Sequence, residues 1–173
     1  MSNPLSTERQ FMDKDRIWTA LFMTDPAYTK PVPGRGGFTT IDAQWCRQRM
    51  CQHFGPEGIG WGMSKPEFES FPLAGQPHVK VEFHIWYIDP DTLERAEPLH
   101  TVAAIELVSN KGKPDTDAFK KVVTDGMSKA LSRIGLGADV FLGLHDDPGY
   151  VAHARDIWDR RMGRGKYRGK TNG

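Results

Sequence analysis

Alternation of apolar and polar residues runs through Val79-Lys80-Val81-Glu82-Phe83-His84-Ile85-Trp86-Tyr87-Ile88, a stretch rich in the β-branched and aromatic residues that favour strands. Asp89-Pro90-Asp91 interrupts the pattern, and Thr101 to Val108 predicts the returning strand. The segment from Phe68 to Phe71 predicts a weaker strand before both, and Asn110 to Pro114 ends the region. The middle of the chain is therefore expected to form an antiparallel β-sheet.

Apolar residues at helical spacing predict helices before this sheet. One helix is expected from about Thr7 to Phe22. A second is expected from Ile41 to Phe54, with Thr40 or Asp42 as its N-cap. The segment between the two helices, residues 25–37, is rich in Pro and Gly and predicts a loop.

The last strong element is a helix predicted from Asp117 to about Ile134, where apolar and small residues share one face. Gly126 and Ala130 keep that face small, so the helix can pack close to a sheet. The residues of the face are Phe119, Val123, Gly126, Ala130 and Ile134. The predicted fold is α+β, with an antiparallel β-sheet packed against a long C-terminal helix in a β-β-β-α core, preceded by a helical region.

Composition divides the chain into three predicted parts. Residues 1–27 form an N-terminal helical segment, and residues 28–154 form the core domain. Residues 155–173 form a basic tail that carries seven Lys or Arg against two Asp. From Gly163 onward the tail lacks apolar periodicity, so disorder is expected there.

The 173 residues carry a formal net charge of only +1, so nucleic-acid binding cannot be argued from overall charge. The N-terminus lacks the pattern of a secretory signal, and no apolar run is long enough to span a bilayer. Cys46 and Cys51 fall in one predicted helix, which favours reduced thiols over a disulfide framework. We therefore expect a cytoplasmic protein without a membrane segment.

Two segments resemble the Rad-fifty-two superfamily of single-strand annealing proteins, including its small phage members. In the stronger segment, Val123-Thr124-Asp125-Gly126 reproduces the core of the family's final helix, and Lys129-Ala130-Leu131 and Gly135 follow in register. The second segment runs from Ile41 to Gly55 and is followed by Gly60-Trp61. A Gly-rich loop at residues 34–37 also has a counterpart in the family, and the similarity covers about residues 28–150.

The resemblance implies a protein that assembles into rings or helical arcs and holds a DNA strand in a basic groove with its bases exposed. By position, Lys129 matches a basic residue of that groove, Lys30 falls opposite another, and Lys120 matches the lysine that begins the final helix. The chain departs from the family at Ser128-Lys129, where a basic pair is usual. It departs again at Ser132, where a further Arg is common and Arg133 stands beside it.

We therefore expect a homo-oligomer that binds single-stranded DNA and anneals complementary strands during recombination without ATP. An accessory single-strand-binding protein or exonuclease is a further candidate partner. Lys and Arg supply the sequence-independent affinity for phosphates. The candidate nucleic-acid-binding residues are Lys30, Arg35, Lys111, Lys113, Lys120, Lys121, Lys129 and Arg133.

Each of these residues also has a simpler interpretation. Lys121, Asp125 and Lys129 are four residues apart, which is equally typical of a surface salt-bridge ladder. Arg133 suits a partner for the helix dipole, and the loop lysines suit ordinary solvated charges. Trp45, Trp61 and Trp86 are expected in the core or in a subunit interface and not as base platforms.

Three other functions remain open from the sequence. The first is a metal-dependent nuclease, built from acidic and His residues such as Glu82, His84 and His145-Asp146-Asp147, although none has a recognisable ligand spacing. The second is a ring-forming module that binds another protein, and the third is an RNA chaperone. The sequence contains no phosphate-binding Gly-rich loop and no nucleophile elbow, so we expect no cofactor, no metal and no catalytic residues.

Overall fold

A computed structural model describes residues 15–32, 38–108 and 112–164. It confirms an α+β fold with antiparallel sheets and several helices. The chain divides into two compact units, the first containing residues up to Trp45 and from Ile134 onward, and the second containing Cys46 to Arg133. This partition differs from the three consecutive parts predicted from composition, because both ends of the chain contribute to one unit.

The described chain contains the following elements, in order. Helix α1 spans Arg16–Phe22, and a 3-10 turn at Pro26–Tyr28 leads into strands β1, Thr29–Val32, and β2, Phe38–Ile41. Helix α2 spans Ala43–Phe54. Strands β3, β4, β5 and β6 span Trp61–Met63, Glu67–Leu73, Gln76–Tyr87 and Leu99–Glu106. Helices α3, α4 and α5 span Ala118–Ser132, Ala138–Phe141 and Pro148–Met162, with a 3-10 turn at Leu144–Asp146 before α5.

The second unit is built on the predicted antiparallel sheet. Strand β5 is central, with β6 along one edge and β4 followed by β3 along the other. Apolar and polar residues alternate along β5. Val79, Val81, Phe83 and Ile85 are therefore buried, while the residues between them face outward. The predicted weaker strand at residues 68–71 is confirmed within β4.

Helix α3 packs on β5 and β6 through residues four apart: Ala118, Val122, Gly126 and Ala130 are all buried. A β-carbon at Gly126 would lie 3.1 Å from the Phe83 ring and 3.3 Å from the Ala103 β-carbon. The helix was predicted correctly, but its predicted face was partly wrong. Phe119 is exposed and packs edge-on against Phe68, because the first turn of α3 contacts the sheet through Ala118.

The first unit joins the two ends of the chain around a core of Leu21, Trp45, Ala154 and Trp158. The Trp45 and Trp158 rings meet edge to face at 6.0 Å, and the Trp158 indole donates a hydrogen bond to the Met23 carbonyl. The loop predicted at residues 25–37 is corrected here, because Thr29–Val32 pairs with Phe38–Ile41 as an antiparallel ribbon. Pro31 is compatible with this ribbon because each of its strands has only one partner.

The boundary placed at residue 155 falls inside helix α5, so residues 155–162 are helical. Asp147 caps this helix with a hydrogen bond from Gly149, and Pro148 occupies its first position. Ala154 and Trp158, four residues apart, bury one face that the surrounding charges conceal in the sequence. Residues 165–173 of the predicted tail and residues 1–14 of the predicted N-terminal helical segment lie outside the described part of the chain.

Candidate nucleic-acid interface

The outward face of α3 carries lysines that are held only by surface ion pairs. The Lys129 ammonium lies 2.7 Å from the Asp125 carboxylate, one helical turn earlier, and the Lys129 side chain is 57% exposed. The Lys121 ammonium lies 2.6 Å from Asp115, which precedes the helix. Of the two ion pairs expected in the ladder, the one between Asp125 and Lys129 is therefore present. Lys121 pairs with Asp115, outside the helix, and not with Asp125.

The ion pair at the start of the helix also shifts the ionisation of both partners. The hydrogen bond from Lys121 holds the pKa of the Asp115 carboxyl below its usual range, with help from the Asp117 backbone amide. The same bond raises the pKa of Lys121 above its usual value. The pair with Asp115 therefore favours the charged form of Lys121.

The other basic candidates of the second unit differ in how firmly they are held. The Arg133 guanidinium donates a hydrogen bond of 2.8 Å to the His100 carbonyl at the start of β6, which ties the end of α3 to the sheet. This contact adds a structural role to the one predicted for Arg133. Lys113 and Lys120 are exposed, and neither has an ion-pair partner among residues 15–32, 38–108 and 112–164.

In the first unit, Lys30 lies on the β1–β2 ribbon, directly opposite Thr40. It is exposed, and its carbonyl accepts a hydrogen bond of 3.2 Å from the Thr40 hydroxyl. Neither strand of the ribbon contains an acidic residue. Asp42, which follows β2, is engaged as the N-cap of α2 and accepts a hydrogen bond of 2.9 Å from the Trp45 amide.

Two of the predicted binding residues, Arg35 and Lys111, lie outside the described residues. The others fall into two separate groups, with Lys30 in the first unit and Lys113, Lys120, Lys121, Lys129 and Arg133 in the second.

Of the three tryptophans expected in the core or in a subunit interface, two lie in the core. Trp45 and Trp61 are buried in their units, with 4% and 0% of their surface exposed. Trp86 lies on the outer face of the sheet, where the Arg95 guanidinium covers its ring at 4.4 Å from the ring centre. This cation–π contact leaves the Trp86 face less open to a base.

Sequence reasoning missed Phe38, the exposed ring of the β1–β2 ribbon. Its side chain pairs across the ribbon with Val32 and is 53% exposed. The only signal in the sequence is its position directly after the Gly-rich run at residues 34–37.

Three of the groups suggested for a metal-dependent nuclease, Glu82, His84 and His145, contact other neighbouring side chains. Glu82 accepts an ion pair from Lys80 at 2.9 Å, which lowers the pKa of the Glu82 carboxyl. His84 packs beside His100 across the strand pair, with ring centres 4.9 Å apart. His145 contacts the buried Asp139 carboxylate at 3.0 Å. Among the residues that the structure describes, no three His, Cys, Asp or Glu side chains come together as a metal site.

No protein-family model matches this chain, and no curated protein is significantly similar to it. The resemblance to single-strand annealing proteins therefore rests on its own motifs, two of whose glycines have a clear structural role. Gly60 passes so close to the Phe54 carbonyl that a β-carbon there would overlap it, and Gly126 brings α3 against the sheet. No helix in the described part of the chain is long and apolar enough to cross a membrane.

Proposed function

We propose that this protein binds single-stranded DNA and promotes annealing of complementary strands without ATP, acting as a homo-oligomer in the cytoplasm. The observation that carries the proposal is the position of α3. In α3, which contains the stronger of the two resembling segments, Gly126 packs against the sheet, and Lys121 and Lys129 are exposed on the outward face. Both cysteines are free thiols, which supports a reducing compartment.

The ion pairs on α3 are weak enough to be exchanged for phosphate contacts. Exposed pairs one helical turn apart contribute only about 0.3–0.5 kcal/mol. A phosphate that takes the place of Asp125 beside Lys129 keeps the charge pairing and also releases counterions from the DNA. Such contacts grip the backbone and make no demand on base sequence, so the base edges stay available for pairing.

Oligomerisation is the second part of the proposal. A subunit with a few basic contacts binds a short stretch of strand weakly. Linking many such subunits along one strand multiplies these contacts, because each further binding event is intramolecular. An annealing protein of this kind needs no bond-breaking chemistry, and binding and release of the strand are sufficient.

The proposal is tested by measuring the affinity for a fluorescent oligothymidylate by anisotropy across a series of salt concentrations. We expect Lys129→Gln to weaken binding and to flatten the dependence of log Kd on log salt by about 0.7, the value for one lost phosphate contact on a single strand. Lys80→Gln is the matched control, because it removes the same charge from the outer sheet face, where Glu69 and Glu82 already neutralise Lys80.

Equal loss of affinity in both variants would show a nonspecific charge effect and not a binding face on α3. Failure of the wild-type protein to bind single strands would reject the proposal and favour the protein-interaction module. Tighter binding to an oligouridylate of the same length would favour the RNA chaperone.

A further inference from the structure

We infer that the exposed face of the β1–β2 ribbon is a base-stacking contact, in which the Phe38 ring stacks on a base and Lys30 binds a neighbouring phosphate. The inference rests on the proposed function and adds to it a contact with the bases themselves. It concerns only the described strands of the ribbon, Thr29–Val32 and Phe38–Ile41.

The register of the ribbon places the two groups side by side. Val32 pairs with Phe38 and Lys30 pairs with Thr40, so these four side chains share one face and Lys30 is the diagonal neighbour of Phe38. Diagonal neighbours in an antiparallel pair are about 7–8 Å apart, a distance that one nucleotide spans between its base and a phosphate. The opposite face is the one turned to the protein, since Ile41 lies against Gly137.

Phe38 differs from most of the exposed rings in having no aromatic neighbour among the described residues. Single exposed apolar side chains are common on protein surfaces, so the surroundings of the ring decide its role. Phe119 packs on Phe68, and Tyr28 stacks on Trp45 at 6.0 Å. Of the exposed rings in the described chain, Phe38 and Phe141 are the two that have no aromatic partner within residues 15–32, 38–108 and 112–164.

The charge of the ribbon favours a nucleic acid as the occupant. Phe38 lies beside a lysine on two strands without acidic residues, whereas Phe141 follows Asp139 in a helix that contains no basic residue. Proteins that bind single strands combine a cation for the backbone with an aromatic ring for the bases. Lys30 would add no binding energy to a contact with an apolar protein surface.

The experiment compares an oligothymidylate with an abasic oligomer of the same length, which keeps the phosphates but offers no base to stack. We expect Phe38→Ala to weaken binding of the oligothymidylate between about 5-fold and 150-fold and to leave binding of the abasic oligomer unchanged. Phe38→Trp, which keeps an aromatic face, is expected to restore the affinity. Phe141→Ala, at an equally exposed ring with 53% exposure, is the matched control and is expected to bind as the wild type does.

Several results would overturn the inference. If Phe38→Ala binds the oligothymidylate as tightly as the wild type, the ring makes no base contact, and the proposed function still stands. If the variant loses affinity for both oligomers equally, or if light scattering shows that only its assembly state has changed, Phe38 belongs to a contact between subunits. If the wild-type protein binds neither oligomer, the proposed function and this inference fail together.

Discussion

Replacing Asp139 with Asn tests how strongly one buried carboxylate stabilises the unit made from the two ends of the chain. The Asp139 side chain is fully buried, and it accepts a hydrogen bond of 2.9 Å from the adjacent Val140 amide and hydrogen bonds from four further groups. These are the Thr24 amide at 2.8 Å, the Thr24 hydroxyl at 2.5 Å, the His145 ring at 3.0 Å and the Tyr150 hydroxyl at 2.8 Å. The network therefore connects the segment after α1 to the segment that leads into α5.

The expected loss follows from what Asn can replace. An amide oxygen in place of Asp139 Oδ1 keeps the hydrogen bonds from the Thr24 hydroxyl and the Val140 amide. The NH₂ group in place of Oδ2 then faces the Thr24 amide, His145 and Tyr150, and leaves at least one of these donors unsatisfied. Leaving a buried donor without its acceptor costs about 1–3 kcal/mol, and more where the lost hydrogen bond was to a charged group. For a chain of this size, about 3 kcal/mol lowers the thermal midpoint by about 6–12 °C.

The pH dependence gives a second readout of the same carboxylate. Burial by itself raises the pKa of Asp139, but the hydrogen bonds from His145, Thr24 and Tyr150 outweigh it and hold the pKa below its usual value. A carboxyl with a depressed folded pKa stabilises the protein above its unfolded pKa, about 3.9, and this contribution is lost as the pH falls through the lower folded value. Asp139→Asn is expected to remove that part of the acid sensitivity.

The assay is thermal and urea unfolding followed by circular dichroism and by Trp fluorescence. Asp146→Asn is the control, because Asp146 is an exposed carboxylate in the 3-10 turn at Leu144–Asp146, next to His145. A thermal midpoint for Asp139→Asn within about 1 °C of the wild type would refute the reasoning, because it would show that the network contributes less than about 0.5 kcal/mol.

Two further predictions concern the helix that carries the proposed site. Gly126→Val is expected to destabilise the protein by about 1–3 kcal/mol in urea unfolding, because the added methyl groups press on Phe83, whereas Gly126→Ala gains about 1 kcal/mol of helix propensity that offsets part of the crowding. A Val variant as stable as the wild type would show that the helix does not sit as close to the sheet as described. Asp125→Asn is expected to tighten single-strand binding by about twofold in anisotropy titrations. The reason is that the exposed Asp125–Lys129 ion pair, which competes with phosphate for Lys129, contributes less than about 1 kcal/mol. Weaker binding by this variant would contradict the exchange of Asp125 for phosphate.

The sheet and the helices predicted at residues 41–54 and 117–134 could be predicted because their periodicity is strong and local. The alternation from Val79 to Ile85 has the period of a half-buried strand, and the structure buries its apolar members. The buried face of α3 was harder to predict, because Ala118 and Val122 are as compatible with helical spacing as Phe119 and Val123. Only the sheet beneath the helix decides between the two faces.

The elements that the sequence did not reveal depend on contacts between distant segments. Strand β1 contains Pro31 and follows another proline, so local propensity predicts a loop. The segment is a strand because it pairs with β2. The carboxylate of Asp139 gives no local sign of burial, because its partner Thr24 is 115 residues away. Of the site, the sequence identifies the basic residues, but the ion pairs of Lys121 and Lys129 and the exposure of Phe38 required the fold.

The most direct test of the central claim is the rate at which the protein anneals two complementary fluorescent oligonucleotides without ATP or divalent metal. The proposal predicts that the wild-type protein accelerates annealing, that added salt reduces the effect, and that Lys129→Gln slows annealing while Lys80→Gln does not. A wild-type rate equal to that of the oligonucleotides alone would contradict it.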